Sequence, residues 1–261
     1  MNIEQNAGTR IRINRYLAQC GLGSRRACER LVTAGRIYLN GGRVTDLATT
    51  IDPALDKIEY KGKELRPLRR LEYVAYHKPP GPVVTRSDPQ RRRTIYDDIA
   101  ESTGRDVGHL RYVGRLDRDS EGLLLLTNDG DLLHALTHPR FHVKKIYHVR
   151  IDRPLDARHA RTMVEEGVVS AGDRLHAARI VPLDKVAGAN AHNWYEVHLF
   201  EGKNRQIRRM FEAFAYRIQR LVRVRFASVK LADLPPRVVR PLTEREIQAL
   251  RNVGYRQAGE G

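Results

Sequence analysis

Residues 113–130 read Val-Gly-Arg-Leu-Asp-Arg-Asp-Ser-Glu-Gly-Leu-Leu-Leu-Leu-Thr-Asn-Asp-Gly. Four consecutive leucines follow Gly122, and the apolar run stops at the turn signal Asn128-Asp129-Gly130. A short apolar run bounded by glycine and turn residues is typical of a buried strand. We therefore predict that residues 114–121 form a polar loop fixed by a core strand, which is a common position for functional side chains.

The charged residues of this loop have a structural explanation as well as a functional one. Asp117 and Asp119 carry side chains that commonly bond to their own backbone in turns. Arg115 and Arg118 are, in that case, solvated neighbours of these turn residues. The local pattern alone leaves both explanations open.

The sequence Gly-Arg-Leu-Asp at residues 114–117, followed by Ser-Glu-Gly-Leu-Leu-Leu-Leu-Thr-Asn-Asp-Gly at residues 120–130, resembles the signature loop of the RsuA/RluB-type ribosomal RNA pseudouridine synthases. The resemblance implies an enzyme that isomerises uridine to pseudouridine. It also implies that Asp117 is the catalytic aspartate.

The composition is that of a folded and strongly basic protein. The chain has 261 residues, of which 41% are hydrophobic and 30% charged, enough for one large domain and one small one. Lys and Arg outnumber Asp and Glu by 47 to 31, which gives a formal net charge of +16. We therefore expect a polyanionic partner, with nucleic acid favoured over an anionic membrane surface.

Several other classes of protein are disfavoured by the sequence. It has no apolar run of the roughly 18 residues needed to span a membrane, and no signal-peptide pattern at the N-terminus, so we expect a cytoplasmic protein with no membrane attachment. Cys20 and Cys28 are too few and wrongly spaced for a zinc site or a disulfide framework, and we predict that both are small buried hydrophobic residues.

Residues 10–65 have the pattern of a small helix-helix-strand domain. Apolar residues three and four apart predict a first helix that ends before Gly21. Ser24 is the predicted N-cap of a second helix over residues 25–34, and Gly35 ends it.

This domain resembles the alpha-L RNA-binding motif, which is named after a ribosomal protein. The resemblance rests on Gly-Ser-Arg-Arg at the start of the second helix and on the Ala-Gly-Arg turn after it. Arginines on one face of this domain could contact RNA phosphates, and such contacts supply affinity without reading the base sequence. The predicted RNA-binding residues are Arg25, Arg26, Arg30 and Arg36. The alternative is a solvated basic face.

We expect an α+β protein with two domains. The predicted division is a flexible N-terminus at residues 1–9, an RNA-binding domain at 10–65, a basic, proline-containing linker at 66–72, a pseudouridine synthase domain at 73–255 and a C-terminal tail at 256–261. The larger domain is expected to contain a mixed, mainly antiparallel sheet. Within it we predict a strand at residues 73–76, a rigid turn at 77–81 and a further strand at 83–85.

Residues 144–151 alternate between polar and apolar side chains and predict a strand in which Tyr147 faces away from Ile146. A tyrosine at such a position is more often a core residue than a catalytic one. The resembled family has a Lys-X-Tyr-X-Val strand here, which implies that Tyr147 lies in the active site and stacks on the target base.

The block Glu-Gly-Lys-Asn-Arg-Gln-Ile-Arg-Arg-Met at residues 201–210 also matches the family, and we predict a helix that opens at Lys203. The resemblance implies that Arg208 forms an ion pair with Asp117. Such a pair would keep the carboxylate ionised in a dry pocket, where burial alone would raise its pKa. Lys203, Asn204 and Arg205 are predicted RNA contacts.

Three further residues complete the predicted site. A stacked uridine cannot be reached inside folded RNA, and Arg115 is the predicted residue that fills the gap when the base is extruded; a phosphate contact or a surface charge is the alternative. The Leu-X-Arg element at residues 221–223 resembles a family segment that borders the site. It makes Leu221 a predicted pocket wall and Arg223 a predicted RNA contact.

Two residues depart from the family pattern. Ala215 and Arg237 stand where glycine is usual. A left-handed turn at Ala215 would cost about 1 kcal/mol, which affects stability more than chemistry.

The reaction breaks the bond between the base and ribose carbon 1 and rejoins the base through ring carbon 5. Asp117 would act as nucleophile or base; the sequence does not determine whether it attacks the base, attacks the sugar or removes a sugar proton. We expect no cofactor and no metal, since the sequence has no dinucleotide fingerprint, phosphate loop or metal-ligand cluster.

The expected partner is ribosomal RNA, as a structured stem-loop or an assembly intermediate, bound by a monomer. Large-subunit (23S) RNA is favoured and small-subunit (16S) RNA is the alternative. The rival interpretation is a non-catalytic ribosome-assembly factor. Such a protein is expected to have lost at least one of Asp117, Tyr147 and Arg208, and the chain has all three.

Overall fold

The computed structural model describes residues 10–67, 71–186, 189–190 and 192–255. The chain divides into two units between Leu71 and Glu72. The predicted N-terminus at residues 1–9, the predicted tail at 256–261 and part of the predicted linker, residues 68–70, lie outside the described residues.

In its described part, the first unit has a two-residue strand, then two helices, then further short strands. These elements are β1 (Ile11–Arg12), α1 (Ile13–Gln19), α2 (Arg25–Thr33), β2 (Ile37–Leu39), β3 (Gly42–Val44), β4 (Thr50–Ile51), β5 (Ile58–Tyr60) and β6 (Lys63–Glu64). The strand order is β3-β2-β5-β6 in the larger sheet, and β1 pairs with β4. The predicted helix-helix-strand order is confirmed.

Local sequence accounts for both helices of this unit. Ile13 and Leu17, four residues apart on α1, are fully buried in the core that also contains Val32 of α2. Ser24 caps α2 as predicted, because its side-chain oxygen accepts a hydrogen bond from the Ala27 N–H at 3.2 Å. Cys28 is buried and Cys20 half-buried, and neither is part of a disulfide bond.

Within the described residues, the second unit contains five α-helices, one short 3₁₀ helix (Pro139–Phe141) and thirteen strands. Its first half comprises β7 (Tyr73–Lys78), α3 (Ile95–Thr103), β8 (Arg111–Val113), β9 (Glu121–Thr127), α4 (Gly130–Thr137) and β10 (Lys145–Ile151). Its second half comprises α5 (Ala157–Glu165), β11 (Val168–Ser170), β12 (Asp173–Leu175), β13 (Arg179–Pro182), β14 (Lys185–Val186), β15 (Ala189–Asn190), β16 (Trp194–Leu199), α6 (Gln206–Glu212), β17 (Ile218–Phe226), β18 (Val229–Lys230), β19 (Val239–Pro241) and α7 (Glu244–Tyr255).

A nine-stranded sheet organises this unit. Its order is β13-β16-β10-β17-β9-β7-β19, with β18 beside β17 and β8 beside β9. Neighbouring strands are antiparallel except β17 and β9, which run parallel with Val222 opposite Glu121 and Arg223 opposite Gly122. The predicted mixed, mainly antiparallel sheet is therefore confirmed.

The leucine run of β9 is apolar on both sides because both faces of the sheet are covered there. Leu123 and Leu125 pack into a cluster to which α4 and α7 contribute. Leu124 and Leu126 point the opposite way, into a cluster that includes residues of α3. A strand buried on both faces reads as a continuous apolar run rather than an alternating one.

The structure corrects two predicted segments near the start of this unit. His77 and Lys78, predicted as part of a turn, continue β7 and pair with Leu123 and Gly122. The prolines follow only after the last paired position, so they do not interrupt the ladder. The predicted strand at residues 83–85 is reduced to a single bridge between Val83 and Thr94.

Positive φ angles explain other details of the backbone. The predicted helix at Lys203 begins instead at Gln206, because Arg205 has φ +47° and cannot lie within a right-handed helix. Ala215 has φ +57°, so its predicted left-handed turn is confirmed, and Arg237 has φ +67°.

Across the described ranges, no helix is both long and apolar enough to cross a membrane.

Candidate active site

A cleft of about 460 Å³ opens between the β8–β9 loop, the middle of the sheet and the segment that leads into α6. The lining residues are Arg115, Leu116, Asp117, Ser120, Tyr147, Leu199, Gly202, Lys203, Arg205, Gln206, Ile207, Arg208 and Leu221. The cleft thus combines apolar walls with one carboxylate and several cations.

The loop that carries Asp117 is held by its own backbone and by its neighbours. The Ser120 N–H donates to the Asp117 carbonyl at 3.1 Å, and the Gly81 N–H donates to the Arg118 carbonyl at 2.8 Å. Leu116 is buried in the apolar cluster below the loop. At the end of the loop, the Glu121 carboxylate pairs with Arg220 of β17.

Lys78 is fully buried beneath this loop. Its Nζ donates to the carbonyls of Pro79 at 2.9 Å, Arg118 at 3.2 Å and Ser120 at 2.8 Å. Burial lowers the pKa of Lys78 to about 8, while the carboxylates of Asp119 and Asp117 act in the opposite direction. Lys78 was not among the predicted site residues, although a lysine at the end of an apolar strand was a visible signal.

The pKa of Lys78 leads to a prediction for the pH dependence of activity. Above pH about 8 the ammonium group deprotonates, and its hydrogen bonds to the loop weaken. We expect the wild-type turnover rate to fall along this alkaline limb, and Lys78→Met to have a lower rate without the limb. If both proteins are measured on the same RNA, ionisation of uridine affects both rates equally. An identical alkaline limb in the two proteins would contradict the prediction.

The lowered pKa of Lys78 has the opposite effect on the free energy of unfolding, which it raises with pH. The folded pKa of Lys78 lies below its ordinary value of 10.5. Between about 8 and 10.5 the unfolded chain therefore binds a proton that the folded chain has released, so the contribution of this group to the free energy of unfolding rises with pH.

Asp117 is half-buried, and no cation of the described chain lies within ion-pair distance of its carboxylate. The predicted ion pair with Arg208 is not formed. Nη2 of Arg208 donates instead to the main-chain carbonyl of Asp119 at 2.9 Å. Nε of Arg208 is buried without a hydrogen-bond partner in the part of the chain that the structure describes. Arg208 and Asp117 nevertheless line the same cleft.

Tyr147 lies on β10 in the middle of the sheet, where β16 pairs with it on one side and β17 on the other. Its ring is half-buried and packs against two apolar clusters, one that includes residues of α5 and α6 and one that includes residues of α3. Leu199 and Leu221, from the two neighbouring strands, line the cleft beside it. An aromatic ring fixed between aliphatic side chains provides a flat surface on which a nucleobase can stack.

Gln206 organises the segment that closes the cleft before α6. It is only 3% exposed, and its Nε2 donates to the carboxylate of Glu201 at 2.6 Å and to the carbonyl of His176 at 2.9 Å. Its Oε1 accepts the Lys203 N–H at 3.0 Å. The polar Lys203–Arg208 stretch gave no local signal that Gln206, rather than a charged residue, would be the buried one.

The predicted RNA-binding residues of the second unit do not all line the cleft. Arg115, Lys203 and Arg205 are exposed and line the cleft, whereas Asn204 is exposed but is not a lining residue. The predicted phosphate contacts of the first unit are all exposed, namely Arg25, Arg26, Arg30 and Arg36.

Arg223, the predicted RNA contact on β17, does not lie on the surface of the second unit. Arg223 is 2% exposed, and its guanidinium bonds to main-chain carbonyls inside the second unit. Sequence alternation placed it correctly on a strand, but it did not reveal that both faces of that strand are covered at this position.

Comparison with known families gives two matches. Residues 72–213 match the RNA pseudouridylate synthase family, and residues 11–55 match the S4 domain family. The first match contains every residue of the second unit that lines the cleft except Leu221.

Individual proteins resemble the chain over most of its length. An uncharacterised RNA pseudouridine synthase of Mycobacterium bovis is 35% identical over 92% of this chain and 92% of its own length. The ribosomal large subunit pseudouridine synthase B of Xanthomonas campestris is 34% identical over 92% of this chain, which spans 49% of that relative. A solved pseudouridylate synthase structure, 26% identical, superposes with a TM-score of 0.63 over 92% of this chain and 99% of the other.

Proposed function

Because the chain belongs to the RNA pseudouridylate synthase family, we propose that it isomerises one specific uridine of large-subunit ribosomal RNA, with Asp117 as the catalytic group and with extrusion of the target base. The observation that carries this proposal is the cleft itself. Asp117, Tyr147 and Arg208 come from three distant segments of the chain, and all three line it.

Each of these residues has a chemical task in the proposed mechanism. Asp117 supplies a carboxylate that acts as nucleophile or base at the uridine. Tyr147 stacks on the extruded base and holds it as the bond to ribose carbon 1 breaks and the base turns. Arg115, exposed at the mouth of the cleft, fills the gap in the RNA stack. No atom other than hydrogen is exchanged, so the chemistry requires no redox partner.

Arg208 is the proposed partner of the Asp117 carboxylate when RNA is bound. Its Nε is buried without a hydrogen-bond partner within the described ranges, so the guanidinium retains donors beyond the one given to Asp119. Closure of the cleft by RNA would remove water and strengthen an interaction between the two charges. A guanidinium can hold a carboxylate through two parallel hydrogen bonds, which an ammonium cannot.

This role predicts that Arg208→Lys lowers turnover by roughly 10–100-fold, the size of effect produced by a small misplacement of a reacting group. RNA affinity should change little because the positive charge remains. Single-turnover measurements on ribosomal RNA provide the test. Arg217→Lys, in the exposed loop after α6, is the matched control, and wild-type turnover in Arg208→Lys would refute the role.

The S4 domain is the proposed clamp on the ribosomal RNA. Arg26 and Arg30 lie four residues apart on α2 and are exposed. Neutralising a phosphate contact lowers the slope of log affinity against log salt by about 0.7–0.9. The double variant Arg26→Gln, Arg30→Gln should therefore reduce that slope by roughly 1.4–1.8.

Filter binding at several salt concentrations measures this slope. Lys61→Gln with Lys63→Gln removes the same net charge from the exposed β5–β6 hairpin of the same domain. Equal slopes for the two double variants would show that net charge, and not contact through α2, determines the binding.

The large-subunit target is supported by the similarity to the ribosomal large subunit pseudouridine synthase B of Xanthomonas campestris. The experiment that tests it is pseudouridine mapping of both ribosomal RNAs from cells that lack the gene, by carbodiimide labelling and primer extension. We expect one large-subunit position to lose its stop and to regain it with the wild-type gene but not with Asp117→Asn. A lost stop in the small-subunit RNA would move the target there, and no change in either RNA would overturn the proposal.

A further inference from the structure

Arg223 is a buried cation at the centre of the sheet. It lies on β17 and is 2% exposed. Its Nε donates to the Leu123 carbonyl at 2.7 Å, and its Nη1 makes a longer hydrogen bond of 3.4 Å to the Arg115 carbonyl. The guanidinium also faces the ring of Phe226, with 5.2 Å between its central carbon and the ring centroid.

Within the part of the chain that the structure describes, no carboxylate forms an ion pair with Arg223, and its Nη2 is buried without a hydrogen-bond partner. Burying an unpaired cation is costly, because the ion loses its hydration without gaining an opposite charge. A second cation, Lys145, lies close enough for Arg223 to contribute to lowering its pKa, after the larger effect of burial. A position that served only packing would favour an apolar side chain.

The two hydrogen-bond acceptors of Arg223 explain why a guanidinium is placed there. The Arg115 carbonyl lies at the start of the loop that carries Asp117, and the Leu123 carbonyl lies just after its end. The backbone of Arg223 also pairs with Gly122 at the parallel junction of β17 and β9. One residue of β17 therefore contacts both ends of the loop.

We propose that Arg223 is a positioning residue for the isomerisation, which fixes the loop carrying Asp117 by joining its two ends through the planar fork of the guanidinium, and that it does not contact RNA. The proposal rests on the catalytic role proposed for Asp117. A loop tied at both ends holds the carboxylate in one place relative to Tyr147, and a displacement of about 1 Å can cost 10²-fold in rate.

The test compares Arg223→Met and Arg223→Lys with Arg225→Met. Met removes the donors but keeps an unbranched side chain, and Lys keeps the charge but lacks the fork that reaches two carbonyls. Arg225, two residues further on the same strand, donates to the Ala227 carbonyl at 2.9 Å, outside the Asp117 loop. It is the matched control for the loss of a guanidinium from β17.

Four readouts separate positioning from RNA contact and from general destabilisation. Using ribosomal RNA from cells that lack the gene, we expect both Arg223 variants to lower the single-turnover rate by roughly 10–100-fold with less than a threefold change in Kd. Hydrogen exchange at the amides of residues 115–121 should accelerate in both Arg223 variants and remain unchanged in Arg225→Met. The melting temperature reports folding, and Arg223→Lys carries the test if Arg223→Met fails to fold.

Two results would overturn the proposal. A raised Kd with an unchanged single-turnover rate would make Arg223 an RNA contact after all. Unchanged exchange of the loop amides in Arg223→Lys, together with wild-type turnover, would show that the fork is not needed. The exchange measurement needs no substrate, so a failure of the role proposed for Asp117 would appear separately, as wild-type turnover in Asp117→Asn with faster loop exchange in the Arg223 variants.

Discussion

Asp117→Asn is expected to lower the rate of isomerisation by about 10³-fold or more, the scale associated with loss of a nucleophile or general base, and to leave RNA binding nearly unchanged. The amide has almost the same shape as the carboxylate but neither its charge nor its basicity. Since Asp117 makes no ion pair within the described chain, the substitution breaks none. The variant should therefore fold with wild-type stability.

Release of tritium from RNA labelled at uracil carbon 5 measures this loss directly, because that hydrogen is replaced as the new bond forms. Asp119→Asn is the matched control. Asp119 lies two residues away in the same loop. Its side chain is 63% exposed and pairs with Arg118 at 3.5 Å, and it contacts Arg208 only through its main-chain carbonyl. Residual turnover above a tenth of wild type in Asp117→Asn would remove Asp117 from the catalytic role.

Gly122→Ala should have the largest effect on stability. Gly122 has φ +107°, and a β-carbon added there would lie 2.6 Å from the backbone nitrogen of Arg223 and 3.0 Å from its carbonyl carbon. Neither strand can move away, because Gly122 pairs with β7 on one side and β17 on the other. Backbone strain and overpacking together should lower the free energy of unfolding by about 3 kcal/mol or more.

Thermal unfolding followed by circular dichroism provides the measurement, and a loss of this size corresponds to roughly 6–12 °C in Tm. Gly130→Ala is the control, since a β-carbon at Gly130, the first residue of α4, has no neighbour within 4 Å. The two substitutions make the same chemical change at positions that differ in backbone conformation and in surroundings. Equal melting temperatures for the two variants would show that β17 separates from β9 more easily than this packing implies.

Local sequence patterns predicted individual helices and strands of this fold, but not how the strands pair. The apolar run after Gly122 predicted β9, and Ser24 predicted the start of α2, because strand burial and helix capping depend on residues close together in sequence. Tyr147 was placed on a strand by alternation alone. Its location in the cleft depends on pairing with β16 and β17, which local pattern does not encode.

Local sequence pattern did not predict the hydrogen-bond partners of three cations, Lys78, Arg208 and Arg223. Sequence reasoning assigned Lys78 to a turn, Arg208 to an ion pair with Asp117, and Arg223 to RNA. All three instead donate to main-chain carbonyls of the loop that carries Asp117 or of the strand that follows it. In a basic protein that binds RNA, the expected partner of a cationic side chain is a phosphate or a carboxylate. A main-chain carbonyl acceptor cannot be identified from the sequence.

The sequence by itself determined the two-part division, the main helices and strands and the family, because these follow from hydrophobic periodicity, capping residues and motifs that lie within short segments. Only the tertiary structure decided which cations hold the Asp117 loop. The contacts of that loop join residues 42 positions apart at Lys78 and Ser120, and 100 positions apart at Arg223 and Leu123. Their partners are main-chain carbonyls, which every residue possesses, so side-chain identity cannot specify them and only the folded register brings them together.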